Sequence, residues 1–185
     1  MIAPKQKCNK IMKEKIFGIG LSRTGTTTLN HVLNQWGFNT IHYPNQNELW
    51  SIHNDGATDI PVIPVYKELD KKFPNSKFIY TIRDKEEWLN SIVPYLERKR
   101  NWTAMNNSPQ VITRKKVFGT DFPNRFEAEV AWDRHEADVK NYFTNRDNLC
   151  IINIVNGDSP KKLADFLGVD TDIKEFPNLN QLKKK

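Results

Sequence analysis

The sequence predicts an α/β fold, a mostly parallel central sheet flanked by helices. Apolar, β-branched runs stand at 16–21, 78–82 and 149–155, with a weaker one at 38–42. Being apolar on both faces, they suit central strands covered from two sides. Segments of helical period lie between them. The first run also passes through glycines straight into a threonine-rich helix start, as a strand followed by its crossover helix would.

Taken in order, Ile16-Phe17-Gly18-Ile19-Gly20-Leu21 is the first strand and its exit. A helix is expected over 26–36, then the weak strand Phe38-Asn39-Thr40-Ile41-His42. The next helix covers 61–73; Pro61 falls near its first turn, where a missing N–H is harmless, and Val62, Val65, Tyr66 and Leu69 share a face. Phe78-Ile79-Tyr80-Thr81-Ile82 follows as a strand. Over 85–100 Trp88, Leu89, Ile92 and Leu96 fall together, although Pro94 should kink or interrupt that helix. The stretch 99–124 has no clean period and is rich in Asn, Lys and Arg, so a long loop or broken helix of the kind that forms lids is expected. A charged helix spans 126–143, with Val130, Ala137 and Val139 as its apolar positions. The strand at 149–155 precedes a last helix that opens at Asp158-Ser159-Pro160 and closes at Leu167-Gly168.

With 185 residues the chain is long enough for one domain with a sizeable core, and ten Phe, five Trp and five Tyr argue against long disorder. The expected organisation is a basic arm at 1–15, one α/β domain at 16–180 and a basic tail at 181–185. The net charge of +6 resides at the ends. Residues 1–15 hold five Lys and one Glu, and Lys183, Lys184 and Lys185 close the chain; everything between carries 20 basic and 21 acidic side chains. That distribution argues against a body that tracks nucleic-acid phosphates. No apolar run reaches the length of a membrane span, and the lysine-rich start does not read as a secretory signal. Two cysteines, Cys8 and Cys150, give neither a disulfide framework nor a zinc site. A cytoplasmic protein with reduced thiols is expected.

The strongest local signal is Gly18-Ile19-Gly20-Leu21-Ser22-Arg23-Thr24-Gly25-Thr26-Thr27-Thr28-Leu29. Glycines let backbone amides converge, a helix N-terminus carries partial positive charge, and threonine hydroxyls add donors, so the segment reads as an anion cradle. The spacing from Gly20 to Gly25 matches G-x-x-x-x-G-K-[ST], but Thr26 stands where the lysine belongs. That lysine serves the terminal phosphates of a nucleoside triphosphate; Arg23 is the cation available instead.

The loop Ser22-Arg23-Thr24-Gly25-Thr26-Thr27 resembles the 5′-phosphosulfate loop of sulfotransferases that use 3′-phosphoadenosine 5′-phosphosulfate (PAPS). A second segment, Lys77-Phe78-Ile79-Tyr80-Thr81-Ile82-Arg83-Asp84 followed by Trp88-Leu89-Asn90-Ser91, is similar to that family's 3′-phosphate motif, a strand ending in Arg with Ser eight residues on. Asp59-Ile60-Pro61, Phe73-Pro74, Gly157, Phe166-Leu167-Gly168 and Phe176-Pro177 resemble a compact microbial branch of it. The resemblance implies a phosphate-loop-type sulfotransferase fold and a metal-free reaction. It implies a donor site made of Ser22, Arg23, Thr24, Gly25, Thr26, Thr27, Thr28, Arg83 and Ser91, and 3′-phosphoadenosine 5′-phosphate (PAP) as the product. The family's C-terminal Arg-Lys-Gly tripeptide is missing; Arg114, Lys115 or Lys116 could close the 3′-phosphate site in its place, or the site stays open.

In the family a cation near the bridging oxygen lowers the barrier, which implies Arg23 as a catalytic residue. The base that takes the acceptor's proton is a His or carboxylate between the two motifs. His42, His53, Asp55 and Asp59 are the candidates, with Asp59 first, because it matches the Asp-x-Pro pattern, and His53 second. A plain helix-capping role for Asp59 is the competing reading. His31 and His135 read as packing or surface residues, and Trp50, Trp102 and Phe122 as core or as walls of an acceptor or adenine pocket. The expected function is transfer of a sulfuryl group from PAPS to a hydroxyl or amine of a small-molecule or glycan acceptor. A Mg-ATP-dependent small-molecule kinase with a degenerate phosphate loop, or a non-catalytic nucleotide-binding module, are the alternatives.

Overall fold

In a computed structural model, which describes residues 14–100 and 108–179, five strands form one sheet. They are β1 (Ile16–Gly18), β2 (Thr40–His42), β3 (Gly56–Thr58), β4 (Lys77–Thr81) and β5 (Leu149–Ile152). The sheet is parallel throughout, in the order β2-β3-β1-β4-β5. Seven α-helices are described: α1 (Thr26–Gln35), α2 (Gln46–Leu49), α3 (Tyr66–Lys72), α4 (Lys85–Arg100), α5 (Pro109–Phe118), α6 (Arg125–Tyr142) and α7 (Pro160–Leu167). None of them is long and apolar enough to cross a membrane. Cys8, Trp102 and the lysines at 183–185 lie outside the described residues.

The period of two along each strand divides the core. Phe17, Phe78 and Tyr80 face Tyr66, Leu69, Phe73, Val139 and Phe143 on one side of the sheet. Ile16, Ile79, Cys150 and Ile152 face Leu29, Leu33, Leu163 and Leu167 on the other. A third cluster joins Leu21 and Ile60 to Trp88, Leu89, Ile92, Val117, Phe118 and Trp132. Leu21 and Ile60 follow the ends of β1 and β3, so this cluster seats α4, α5 and α6 beside the carboxyl ends of the strands. That is the edge where open α/β sheets bind ligands.

Four details depart from the expectations drawn from sequence. Strand β3 carries no large apolar residue because Gly56 sits against β1: a Cβ there would lie 1.8 Å from the Ile16 carbonyl oxygen. Helix α4 runs unbroken through Pro94, which faces outward, so the carbonyl left without an N–H partner stays open to water. The irregular stretch 99–124 contains α5, capped by Ser108 and closed by Gly119. Its buried face is Val111, Arg114, Val117 and Phe118; an arginine in the inward row hid the helical period. Lys15, counted with the basic arm, belongs to the fold: it is 3% exposed, and its ammonium donates to the carbonyls of Ser51 and Asn54.

Candidate active site

The glycine loop leaves β1 at the carboxyl edge and is fixed from behind by groups that face away from any ligand. The Ile19 amide donates to the Ile79 carbonyl at 2.9 Å. Trp88 Nε1 donates to the Ser22 carbonyl at 2.9 Å, and His135 Nε2 to the Ile19 carbonyl at 2.7 Å. A carbonyl only accepts, so His135 carries its proton on Nε2; burial pushes its pKa down and keeps the ring neutral. Thr24 is fully buried, and its hydroxyl contacts the Leu21 carbonyl and Thr81 Oγ1, each at 2.6 Å. Thr24 therefore holds the loop to β4, leaving its neighbours to face outward. Gly20 is where the loop passes closest to that strand: a Cβ would stand 1.8 Å from Thr81 Oγ1 and 2.7 Å from the Thr81 carbonyl oxygen.

Arg23 and Gly25 both take positive φ, 74° and 100°, and turn the chain into α1. The first-turn amides of that helix have no partner within it and point past the loop. The threonines behave differently from one another. Thr26 is buried at the helix start. Thr27 Oγ1 lies 3.1 Å from His42 Nε2, and Thr28 donates to the Pro177 carbonyl at 3.2 Å, tying the C-terminal segment across α1.

The two motifs meet in space. Arg23 Nε donates to Ser91 Oγ at 3.0 Å across 68 residues of chain, with its guanidinium 5.5 Å from the Tyr95 ring. Arg83 emerges from the end of β4 and pairs with Glu87 at 3.3 Å; Asn156 donates to the same Glu87 oxygen at 2.8 Å. Burial and the charges of Arg83 and Arg98 lower the pKa of Arg23 against the opposing pull of Tyr95, so three cations share this corner.

Of the four candidate bases, two come together and two do not. Asp59 ends β3 with φ 85°, a conformation Asp tolerates better than most residues, and is buried. Its Oδ1 accepts from Ser22 Oγ at 2.7 Å and from the Ile60 amide at 2.8 Å, while Oδ2 lies 3.4 Å from His42 Nε2. His42 Nδ1 contacts Thr58 Oγ1 at 3.1 Å. His53 and Asp55 precede β3 and so lie at the opposite edge of the sheet. His53 is exposed, its amide bonded to Ser51 Oγ, and Asp55 accepts from the Asn39 amide. The order of the strand places them a strand's length from the loop.

Sequence reasoning passed over Tyr43, Tyr95 and Arg98. The last two follow Ser91 by four and seven positions on α4, the spacing of a shared helix face, which is the signal that would have found them. Lys115 leans toward Asp121 at 4.0 Å and Lys116 is exposed. Trp50 packs away from the loop, against the cluster around Phe73, whereas Phe122 lies against Arg114.

The sequence model of the sulfotransferase domain matches residues 46–184, which include Asp59, Arg83 and Ser91 and begin beyond the glycine loop. A search of curated proteins finds no match. Among solved structures, a sulfotransferase from Alicyclobacillus acidocaldarius is similar at TM-score 0.56 and 14% identity, over 92% of this chain and 87% of that one. The mouse sulfotransferase SULT7A1 complexed with PAP matches at TM-score 0.49 and 17% identity, over 86% of this chain and 60% of that one. The first of these likenesses is one of fold.

Proposed function

The chain belongs to the sulfotransferase domain family, and on that premise we propose that it transfers a sulfuryl group from PAPS to a hydroxyl or amine of a small acceptor. The observation that carries the reading is the Arg23–Ser91 hydrogen bond. It joins the cation of the glycine loop to the serine of the Arg83 helix, so that both anion-binding elements open on one space.

The residues fit the donor. Gly20 lets the loop pack directly against Thr81 of β4, and the first-turn amides of α1 with Arg23 suit the phosphosulfate end. Arg83 and Ser91 suit the 3′-phosphate, with Arg98 as the additional cation in place of the missing Arg-Lys-Gly. When bound, the donor supplies the sulfuryl group and leaves as PAP. Ser91 then has a phosphate to serve, and Arg23 is released to neutralise charge on the leaving oxygen. Asp59 takes the acceptor's proton on Oδ2, whose partner oxygen is already filled by Ser22 and Ile60. His42 holds that carboxylate in place and is a positioning residue.

Thermal melting tests the donor site. Saturation with PAP at about 100 times its dissociation constant should raise the midpoint by roughly 5–11 °C, with EDTA without effect. Arg83→Ala should weaken PAP binding about ten- to hundredfold by removing charge-assisted hydrogen bonds. Stabilisation by ATP with magnesium and not by PAP would overturn the reading.

A further inference from the structure

Arg114, one of the cations offered by the sequence to close the 3′-phosphate site, is buried and takes no part in the donor site as proposed. It projects from α5 at 5% exposure, its Nε donates to the Gln110 carbonyl of its own helix at 3.3 Å, and its guanidinium lies 5.0 Å from the Phe122 ring centroid. Its Nη2 is buried with no hydrogen-bond partner among the described residues. Leaving a charged donor unmade inside a fold is costly, and such groups are kept where a ligand completes them.

The surroundings of Arg114 say which ligand. Its charge reaches the phenols of Tyr43 and Tyr95, and so does that of Asp59. Burial and Asp59 push the Tyr43 pKa up to about 12 against the pull of Arg114, so this phenol stays a hydroxyl donor. Both rings pack on the cluster of Leu21, Ile60 and Trp88 beside the glycine loop. The Arg23 guanidinium lies 5.5 Å from the Tyr95 ring centroid, and the charges of Asp59, Arg23, Arg114 and Arg98 all reach that phenol, so Tyr95 neighbours the proposed donor site and Arg114 alike. One guanidinium and two phenols make a small set of donors with a single positive charge, which matches a monoanion; a phosphate dianion would want a second cation.

Resting on the sulfuryl-transfer reading of the same cleft, we propose that Arg114, with the hydroxyls of Tyr43 and Tyr95, binds a carboxylate of the acceptor. The substrate class is then the hydroxylated carboxylic acids, with the hydroxyl at Asp59 and the carboxylate at Arg114. Attack by that hydroxyl forms a new S–O bond as the bond from sulfur to the 5′-phosphate oxygen breaks. The proton passes to Asp59, and the products are a sulfate ester and PAP.

The test is calorimetric titration of PAP-saturated protein with 4-hydroxyphenylacetate and with its neutral isostere 4-hydroxyphenylacetamide. The acid should bind the wild type roughly ten- to hundredfold more tightly, the range for hydrogen bonds to a charged partner. Arg114→Met should remove that preference while the PAP-induced melting shift stays at its wild-type size. Should Arg114→Met fail to fold, Tyr43→Phe and Arg114→Lys decide, and each should reduce the preference at least threefold. Equal affinity, no binding of the acid to the wild type, or a preference that survives in the folded variants overturns the inference alone. Absence of a PAP shift in the wild type overturns both readings.

Discussion

Gly20→Ala is the substitution with the most to say about the glycine loop. The added methyl would lie 1.8 Å from Thr81 Oγ1 and 2.7 Å from the Thr81 carbonyl. The hydroxyl would have to retreat by more than an ångström and the backbone by a few tenths. Rotating Thr81 away breaks its 2.6 Å contact with Thr24, about 1 kcal/mol for a buried hydrogen bond. The residual crowding against the carbonyl adds strain, bringing the total to roughly 1–3 kcal/mol. For a chain of this size that is a fall in melting midpoint of roughly 2–12 °C. Because the displaced segment is the proposed donor cradle, PAP binding should weaken as well. Thr81→Ala provides the control: it loses the contact with Thr24 but vacates the space of the hydroxyl, so Gly20→Ala should cost less in that background than in the wild type. Urea unfolding of the four proteins gives the cycle. Strict additivity would mean that the methyl never meets the Thr81 side chain, and would refute the account of why the loop needs glycine there.

Two further outcomes follow from the site. Asp59→Asn keeps a residue that tolerates positive φ, so PAP binding should hold while transfer from labelled PAPS to any active acceptor falls about a hundred- to ten-thousandfold; turnover within tenfold of wild type would assign the proton elsewhere. The pKa of His135 is lowered in the fold by burial, so the unfolded chain binds a proton first on acidification. Stability should be full above about pH 6.5 and decline as pH falls toward the lowered value, by at most about 1.4 kcal/mol at pH 5.5. Urea unfolding at pH 7.5 and 5.5 measures this, and a His135→Gln variant should flatten the difference; an unchanged wild-type stability would mean the ring protonates freely.

The architecture was legible where apolar residues speak for both faces of a strand. Phe78, Ile79 and Tyr80 announce β4, and Ile16 and Phe17 announce β1, because each alternates between the two cores. Strand β3 was silent for the opposite reason: Gly56 is small because β1 crowds it, Ala57 and Thr58 add little apolar surface, and closeness leaves no hydrophobic signature. Arg114 likewise disguised the inward face of α5. At the site, the resemblance to the family's motifs brought out Arg23, Arg83, Ser91 and Asp59. What spacing could not convey was which end of the sheet each loop occupies. His53 and Asp59 are six residues apart, yet a three-residue strand between them sends them to opposite edges. The pairing of His42 with Asp59 needs β2 and β3 to be neighbours, a fact of topology that no single segment carries.

Helix α4 holds Ser91 and Tyr95 one turn apart, and Arg23 touches both. On the proposed function, a nucleotide that took Ser91 from Arg23 would rearrange the wall against which an acceptor would lie. Occupancy of one half of the cleft would then alter the affinity of the other, and reciprocity requires the factor to be the same in both directions. The coupling between the two substrates would be a property of a single turn of helix.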